Sequence, residues 1–205
     1  MTSKDSLKTY RDKRDFRRTS EPAGSERKAS DRTIFVIQKH DASQLHYDFR
    51  LEVGGVLKSW AVPKGPSTDP RDKRLAVPTE DHPMEYADFE GVIPKDEYGG
   101  GTVLVWDAGT YRNLREEKEE DRTSMEHALD QGKIEVWLEG KKLQGGYALI
   151  RTGKPDKSGK ERWLLIKKKD DRADARRNPT STEPHSVLTG RTIEEIASEG
   201  GNREE

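Results

Sequence analysis

The sequence contains no cysteine among its 205 residues. Disulfide scaffolds, thiolate zinc sites and cysteine nucleophiles are therefore excluded, and a reducing compartment is a compatible setting. No apolar run approaches the ~20 residues that a membrane span needs, and the N-terminus lacks the apolar segment of a secretory signal. Hydrophobic residues make up only 30% of the chain. We therefore expect a cytoplasmic protein without membrane contact that has one modest core.

An excess of charge of one sign is also missing. The 38 basic and 39 acidic residues leave a net charge of −1, so any affinity for nucleic acid must come from local clustering. Apolar residues concentrate between residues 34 and 168, and the two ends are polar. These differences predict an N-terminal arm (1–33), one compact domain (34–168) and a charged C-terminal tail (169–205).

Short apolar runs separated by Gly, Pro and Asp are typical of strands. The candidate strands are 34–38, 46–53, 56–62, 74–78, 102–106, 133–138, 146–151 and 162–167. Their spacing predicts a mainly β fold, a compact antiparallel β-barrel with one or two short helices and polar flanking tails. One helix is expected after Thr123, which has capping-box spacing to Glu126, and it would end at Gly132. Another short helix is expected after Thr192.

Three further segments have structural interpretations. Residues 91–101 (GVIPKDEYGGG) predict a tight connection into the next strand, and residues 20–32 predict a loop. Leu7–Phe16 is expected to form a short helix or to dock an aromatic ring onto the domain. The tryptophans lie in apolar strand patterns and are expected in the core, namely Trp60, Trp106, Trp137 and Trp163.

The segment HDASQLHYDFRLEV carries the chemistry, because side chains alternate between the two faces of a strand. The apolar face of this strand holds Tyr47, Phe49, Leu51 and Val53, and the polar face holds His46, Asp48, Arg50 and Glu52. A polar face that is merely solvated would favour Thr, Lys and Ser. We therefore interpret the His-x-Asp-x-Arg pattern as a site on a solvent-facing strand surface.

A divalent metal is one ligand that this face can bind. His46 and Asp48 lie about 6–7 Å apart along the strand and point the same way, and His40 can join them from the preceding loop. Two imidazoles and one carboxylate suit Mn, Fe or Zn and leave coordination positions open for water and substrate. The alternative is a set of ordinary surface histidines.

Cationic side chains nearby indicate what the open positions receive. Arg50 follows Asp48 on the same face, and Lys64 and Arg74 flank a loop rich in Pro and Gly. Each of the last two could by itself be a solvated charge. Together with His82, however, such donors around a divalent ion form the usual clamp for a phosphoryl group.

A resemblance to a known family is carried by two long stretches, FVIQKHDASQLHYDFRLEVGGVLKSWAVPKGPS and KRLAVPTEDHPMEYADFEGVIPKDEYGGGTVLVWDAGTY. They resemble the 3′-phosphoesterase module of prokaryotic DNA ligase D, and the likeness extends to YRDKRDFRRTSEPAG near the N-terminus. The resemblance implies a β-barrel that binds Mn²⁺, with Co²⁺ or Zn²⁺ as alternatives. It also implies an enzyme that removes a 3′-terminal ribonucleoside from a DNA primer-template and then the 3′-phosphate, which leaves a 3′-hydroxyl for end-joining repair.

The same resemblance assigns site residues by position. It implies the metal ligands His40, His46 and Asp48. It implies a catalytic and phosphate-binding cluster of Arg50, Lys64, Arg74, His82 and Tyr86. It adds the N-terminal catalytic residues Arg14, Asp15 and Glu21, and the further site residues Gln38 and Glu80. Because ligase and polymerase modules are absent from this sequence, we expect a monomer that meets a DNA ligase, a polymerase and Ku in trans.

Two other functions remain open from the residues. His46, Asp48 and His82 imitate the facial triad of an Fe(II)-dependent oxygenase on a β scaffold. The second open function is a non-catalytic module that binds DNA ends and whose histidines are structural. An assay on a 3′-phosphorylated primer supplemented with manganese separates the three.

Overall fold

Nine β-strands and four short helices are present in a computed structural model, which describes residues 6–25, 33–155 and 157–201. The strands are β1 (Ile34–Asp41), β2 (Leu45–Val53), β3 (Val56–Val62), β4 (Arg74–Pro83), β5 (Gly91–Ile93), β6 (Gly101–Asn113), β7 (Lys133–Gly140), β8 (Gln144–Arg151) and β9 (Trp163–Lys167). Of the loop predicted at 20–32, residues 26–32 lie outside the described part. Within the described ranges, no helix is long and apolar enough to cross a membrane.

Eight of the strands close into an antiparallel barrel, as predicted. Their order is β1-β2-β3-β4-β9-β8-β7-β6, and pairing of β1 with β6 closes the barrel. The short β5 pairs with the first residues of β6, and β7 pairs with the last ones. The alternation predicted for β2 is confirmed, because its apolar face packs into the main core together with Trp60, Trp106 and Trp163. Trp137 is only half-buried beside Arg112, so the prediction that it belongs to the core is wrong.

Several strands extend further than their sequence patterns predicted, β4 and β6 most of all, and one strand was missed. β1 continues to Asp41, so His40 lies in a strand and not in the expected loop. β4 continues from Pro78 through Glu80 and His82, with an extra residue opposite β3, and β6 continues to Asn113. β5 lies inside the segment predicted as a connection. It was missed because it has only three residues and the neighbouring Gly and Pro residues are typical of a turn. The continuation of β4 matters for the site, because it brings His82 opposite Leu57 of β3.

The helices are α1 (Lys8–Asp12), α2 (Met125–Gln131), α3 (Pro179–Thr182) and α4 (Ile193–Gly201), and a 3₁₀ turn covers Met84–Asp88. α2 is capped by Ser124, whose hydroxyl accepts from the His127 amide at 3.3 Å, rather than by Thr123. The Thr123 hydroxyl instead contacts Asp121 and Arg115. α4 follows Thr192 as predicted, and the Thr192 and Glu195 side chains cap each other's backbone amides at 3.2 and 2.8 Å.

A second apolar cluster lies on the outer face of β1, β3 and β6. It contains Val36, Leu57 and Val105, and it is covered by Tyr10 of the arm and by Tyr86 of the 3₁₀ turn. Tyr10 is fully buried, and its hydroxyl donates to the Pro22 carbonyl at 2.6 Å. The arm is therefore packed against the same outer face that carries the polar side chains of β2.

Candidate active site

The three predicted metal ligands meet at the end of the β1–β2 hairpin. His40 and His46 are direct cross-strand partners, and Gln38 is the partner of Asp48, so all of these side chains leave the outer face of the barrel. One ligand atom each from His40, His46 and Asp48 lies within 4.8 Å of the others. Asp48 contacts His40 Nδ1 through one carboxylate oxygen and His46 Nε2 through the other, both at 3.5 Å.

Backbone carbonyls orient both imidazoles. His40 Nε2 donates to the Gly99 carbonyl at 2.8 Å, and His46 Nδ1 donates to the Gln44 carbonyl at 3.0 Å. Each hydrogen bond occupies one ring nitrogen, so that the other nitrogen of each imidazole faces Asp48 and is placed to bind a metal. The resulting set of two imidazole nitrogens and one carboxylate fits a first-row divalent metal.

Asp48 and Arg50 are buried, although β2 was expected to present them to solvent. Burial by itself would raise the pKa of Asp48, but the Arg50 guanidinium and the two histidines hold it well below its usual range. Arg50 Nη2 lies 3.2 Å from Asp48, Nε donates to the Gln38 side chain at 2.7 Å, and Nη1 donates to Ser59 at 2.8 Å. The Gln38 amide in turn donates to backbone carbonyls of the 84–89 segment. Arg50 is therefore held in one orientation.

His82 lies between two guanidinium groups. Its Nδ1 is 2.8 Å from the Glu80 carbonyl and 3.0 Å from Arg50 Nη1, and its Nε2 is 3.4 Å from Arg14 Nη2. Burial and then the charges of Arg50 and Arg14 lower the pKa of His82 well below its ordinary value. The imidazole is therefore neutral in the free site at pH 7. His82 does not belong to the metal-ligand group, which consists of His40, His46 and Asp48. The oxygenase alternative required His82 as the third ligand, and His40 occupies that position instead.

The N-terminal arm completes the wall of the site. Arg14 Nε donates to Glu21 at 2.9 Å and Nη1 donates to Glu80 at 3.1 Å, so two carboxylates surround one guanidinium. Glu21 also accepts from the Tyr86 hydroxyl and from Thr19, each at 2.9 Å. All of these groups are largely or fully buried. Burial raises the pKa of Tyr86 well above its ordinary value, so the phenol stays protonated and donates.

These groups surround a cavity of about 250 Å³. Its walls contain the three metal-ligand candidates, both guanidinium groups and the side chains of Glu80, His82 and Tyr86. The cavity therefore combines a metal-ligand set with fixed positive charge, which is the arrangement that phosphoryl chemistry uses.

A family model for the DNA ligase D 3′-phosphoesterase domain matches residues 38–151. The chain belongs to this family. The multifunctional non-homologous end joining protein LigD of Pseudomonas aeruginosa is 48% identical over 197 residues, which cover 94% of this chain and 22% of that protein. The LigD proteins of Mycolicibacterium smegmatis and Mycobacterium tuberculosis are 46% and 43% identical over 82% of this chain. The chain spans about a fifth of the length of these relatives.

Three of the residues that the family resemblance assigned to the site of this phosphoesterase domain lie apart from the cavity. The Asp15 carboxylate accepts from the Arg17 backbone and guanidinium at 2.8–3.1 Å. Arg74 donates to the Lys64 carbonyl at 3.2 Å and to Asp72 at 2.9 Å, and the Lys64 side chain is exposed. None of the three lines the cavity.

Several cavity residues of the phosphoesterase domain were missed by sequence reasoning. Tyr98 and Gly99 line the cavity from the segment 94–100, and Thr79 lines it from β4. Ser59 of β3 does not line the cavity but accepts a hydrogen bond from Arg50, which does. Tyr98 and Gly99 belong to the segment that was given a purely structural interpretation. Ser59 could have been found, since period-two pairing across a short β2–β3 hairpin places it opposite Arg50.

Proposed function

We propose that this domain hydrolyses phosphoester bonds at the 3′ ends of DNA primer strands in end-joining repair. It removes a 3′-terminal ribonucleoside and then the remaining 3′-phosphate, and so leaves a 3′-hydroxyl. The observation that carries the proposal is one cavity that joins the His40–His46–Asp48 group to the buried guanidinium groups of Arg14 and Arg50. Membership of the DNA ligase D 3′-phosphoesterase family supports the same reaction.

His40, His46 and Asp48 would hold the metal through Nδ1, Nε2 and a carboxylate oxygen. This mixed nitrogen and oxygen set favours Mn²⁺, with Co²⁺ or Zn²⁺ as substitutes, over Mg²⁺, which prefers oxygen ligands alone. When bound, a divalent ion supplies Lewis-acid polarisation of the phosphoryl group and of the attacking water.

The guanidinium groups bind and orient the phosphate. Arg14 and Arg50 reach the cavity from opposite sides of His82, and hydrogen bonds to buried acceptors fix both of them before substrate arrives. Such preorganised donors neutralise the charge that develops on the phosphoryl oxygens. His82 is neutral in the free site, and the negative charge of a bound phosphate raises its pKa toward the protonated form. The protonated ring then donates to the leaving oxygen.

Lys64 and Arg74 lie outside the cavity, so we assign them a role in binding the DNA strand and not in hydrolysis. Lys64 lies in the turn after β3 with an exposed side chain, and Arg74, the first residue of β4, donates to its carbonyl and is partly exposed. We assign them to the phosphate backbone of the strand that leads to the 3′ end, where their contacts position the strand and do not take part in hydrolysis.

A primer-template labelled at the 5′ end of the primer and ending in one ribonucleotide tests the proposal. With Mn²⁺, gel analysis should show first a 3′-phosphate product and then a 3′-hydroxyl product. His46→Ala should abolish both, and His127→Ala, which removes an exposed histidine of α2, should abolish neither. If an all-deoxy primer is digested stepwise, the protein is a general exonuclease. If no product forms, the domain only binds ends.

A further inference from the structure

Tyr98 is the exposed aromatic side chain of the cavity. Its exposed fraction is 46%, and no other Phe, Tyr or Trp in the described part of the chain is exposed to that extent. Tyr86, the other tyrosine in the cavity wall, is 2% exposed. An exposed aromatic ring beside fixed positive charge is the feature on which proteins stack nucleobases.

The ring is held in place beside the metal-ligand group. The next residue, Gly99, gives its carbonyl to His40 Nε2 at 2.8 Å, so the backbone at Tyr98 is tied to a metal-ligand candidate. Turn hydrogen bonds of 3.0 Å from Glu97 N to the Pro94 carbonyl and from Gly100 N to the Glu97 carbonyl shape the segment. An ion pair of 2.8 Å between Glu97 and Arg18 joins the segment to the arm.

Positive charge and hydrogen bonds surround the ring. Lys13 Nζ lies 4.5 Å from the ring centroid and donates to the Tyr98 hydroxyl at 3.1 Å. The hydroxyl donates to Glu80 at 3.4 Å, and Glu80 also accepts from Arg14 inside the cavity. Tyr98 therefore stands where the cavity opens to solvent, with its hydroxyl directed toward the arm and part of its ring uncovered.

We infer that Tyr98 stacks on the base of the 3′-terminal nucleoside, the leaving group of the first hydrolytic step. The inference rests on the proposed function, under which the cavity of about 250 Å³ holds the metal and the phosphate between the residues that line it. The terminal base must therefore lie at the opening, where Tyr98 is the accessible ring. After the nucleoside has left, the substrate of the second step has no such base. Tyr98 therefore contributes to the first step and not to the second.

Two substrates on one primer-template separate these contributions, one with a terminal ribonucleotide and one with a 3′-phosphate. Tyr98→Ala should lower kcat/KM for nucleoside removal by about 5- to 150-fold, the range expected for loss of one base-aromatic stack. It should leave 3′-phosphate removal within about twofold of wild type on the same grounds. Tyr98→Phe is the matched control, because it keeps the ring and removes only the hydroxyl contacts to Lys13 and Glu80, and it should retain both rates.

A primer that ends in an abasic ribose provides a second control. The kcat/KM of wild type for nucleoside removal should fall on this abasic primer by about the factor that Tyr98→Ala causes on the intact primer. The kcat/KM of Tyr98→Ala should be the same on both primers. Equal losses in both steps, or a Phe variant as impaired as the Ala variant, would overturn the stacking role.

Binding can be measured without turnover. The fluorescence of a primer ending in 2-aminopurine riboside should fall when wild type or Tyr98→Phe binds it in the presence of EDTA, because the aromatic ring stacks on the fluorescent base. Binding of Tyr98→Ala should leave this fluorescence unchanged. Equal fluorescence for wild type and Tyr98→Ala would contradict the inference. If wild type hydrolyses neither substrate, the proposed function fails, and the fluorescence still decides whether Tyr98 stacks on the terminal base.

Discussion

Replacing Glu21 by alanine should release the N-terminal arm from the barrel. The buried Glu21 carboxylate accepts hydrogen bonds from Arg14, Tyr86 and Thr19, each at 2.9 Å. Its removal leaves the Arg14 guanidinium, whose side chain is 4% exposed, with Glu80 as its remaining carboxylate partner. Removing one partner from a buried ion pair costs about 3–5 kcal/mol, which is a large part of the 5–15 kcal/mol that usually stabilises a domain.

Urea unfolding followed by tryptophan fluorescence measures this loss. Asp12→Asn is the matched control, because it removes an arm carboxylate whose ion pair with Lys8 is exposed, and it should change the free energy of unfolding by less than about 1 kcal/mol. Replacing both Arg14 and Glu21 by methionine removes the unpaired charge, so it should destabilise the domain less than Glu21→Ala alone. A Glu21→Ala protein within about 1 kcal/mol of wild type would refute this account of the arm.

Three further predictions concern pH, backbone space and helix capping. Because burial and two guanidinium groups hold the pKa of His82 below its unfolded value of about 6.5, the unfolded chain takes up this proton first, and stability should fall as the pH drops below that value. In EDTA, urea midpoints at pH 7.5 and 5 should therefore differ more for wild type than for His82→Gln. A Cβ at Gly101 would overlap the Asp41 carbonyl, so Gly101→Ala should lower the unfolding midpoint much more than Gly153→Ala, where no atom lies within 4 Å. Ser124→Ala should cost about 1 kcal/mol in the same measurement through loss of the α2 cap.

The sequence predicts the metal-ligand group well because the group depends on local geometry. Period-two alternation places His46, Asp48 and Arg50 on one face of β2. His40 was expected in a loop before β2, and this detail was wrong, because β1 continues to Asp41 and pairs His40 with His46. The barrel also follows from local patterns, since eight predicted strands occur in the structure. Alternation states which side chains share a face, however, and not what covers that face. The expectation that Asp48 and Arg50 face solvent was therefore wrong.

The arm is the part of the site that composition could not place. Residues 1–33 read as polar, yet Leu7 and Tyr10 are buried, Arg14 lines the cavity, and the buried Glu21 carboxylate pairs with Arg14 behind the cavity wall. Their burial depends on contacts with residues more than 60 positions away, such as Tyr86. No pattern within the arm encodes those contacts, so only the family resemblance indicated that the arm belongs to the site.

Mn²⁺ binding can be measured together with hydrolysis on the same samples. Protein freed of metal by chelation is titrated with Mn²⁺ and free ion is followed by electron paramagnetic resonance, while release of phosphate from a 3′-phosphorylated primer is recorded at each point. Wild type and His127→Ala should bind one ion per chain, with hydrolysis rising in proportion to occupancy, and Asp48→Asn should lose both. Hydrolysis by wild type in excess chelator, or full binding and hydrolysis by Asp48→Asn, would contradict the assignment of His40, His46 and Asp48 as the metal site of a phosphoesterase.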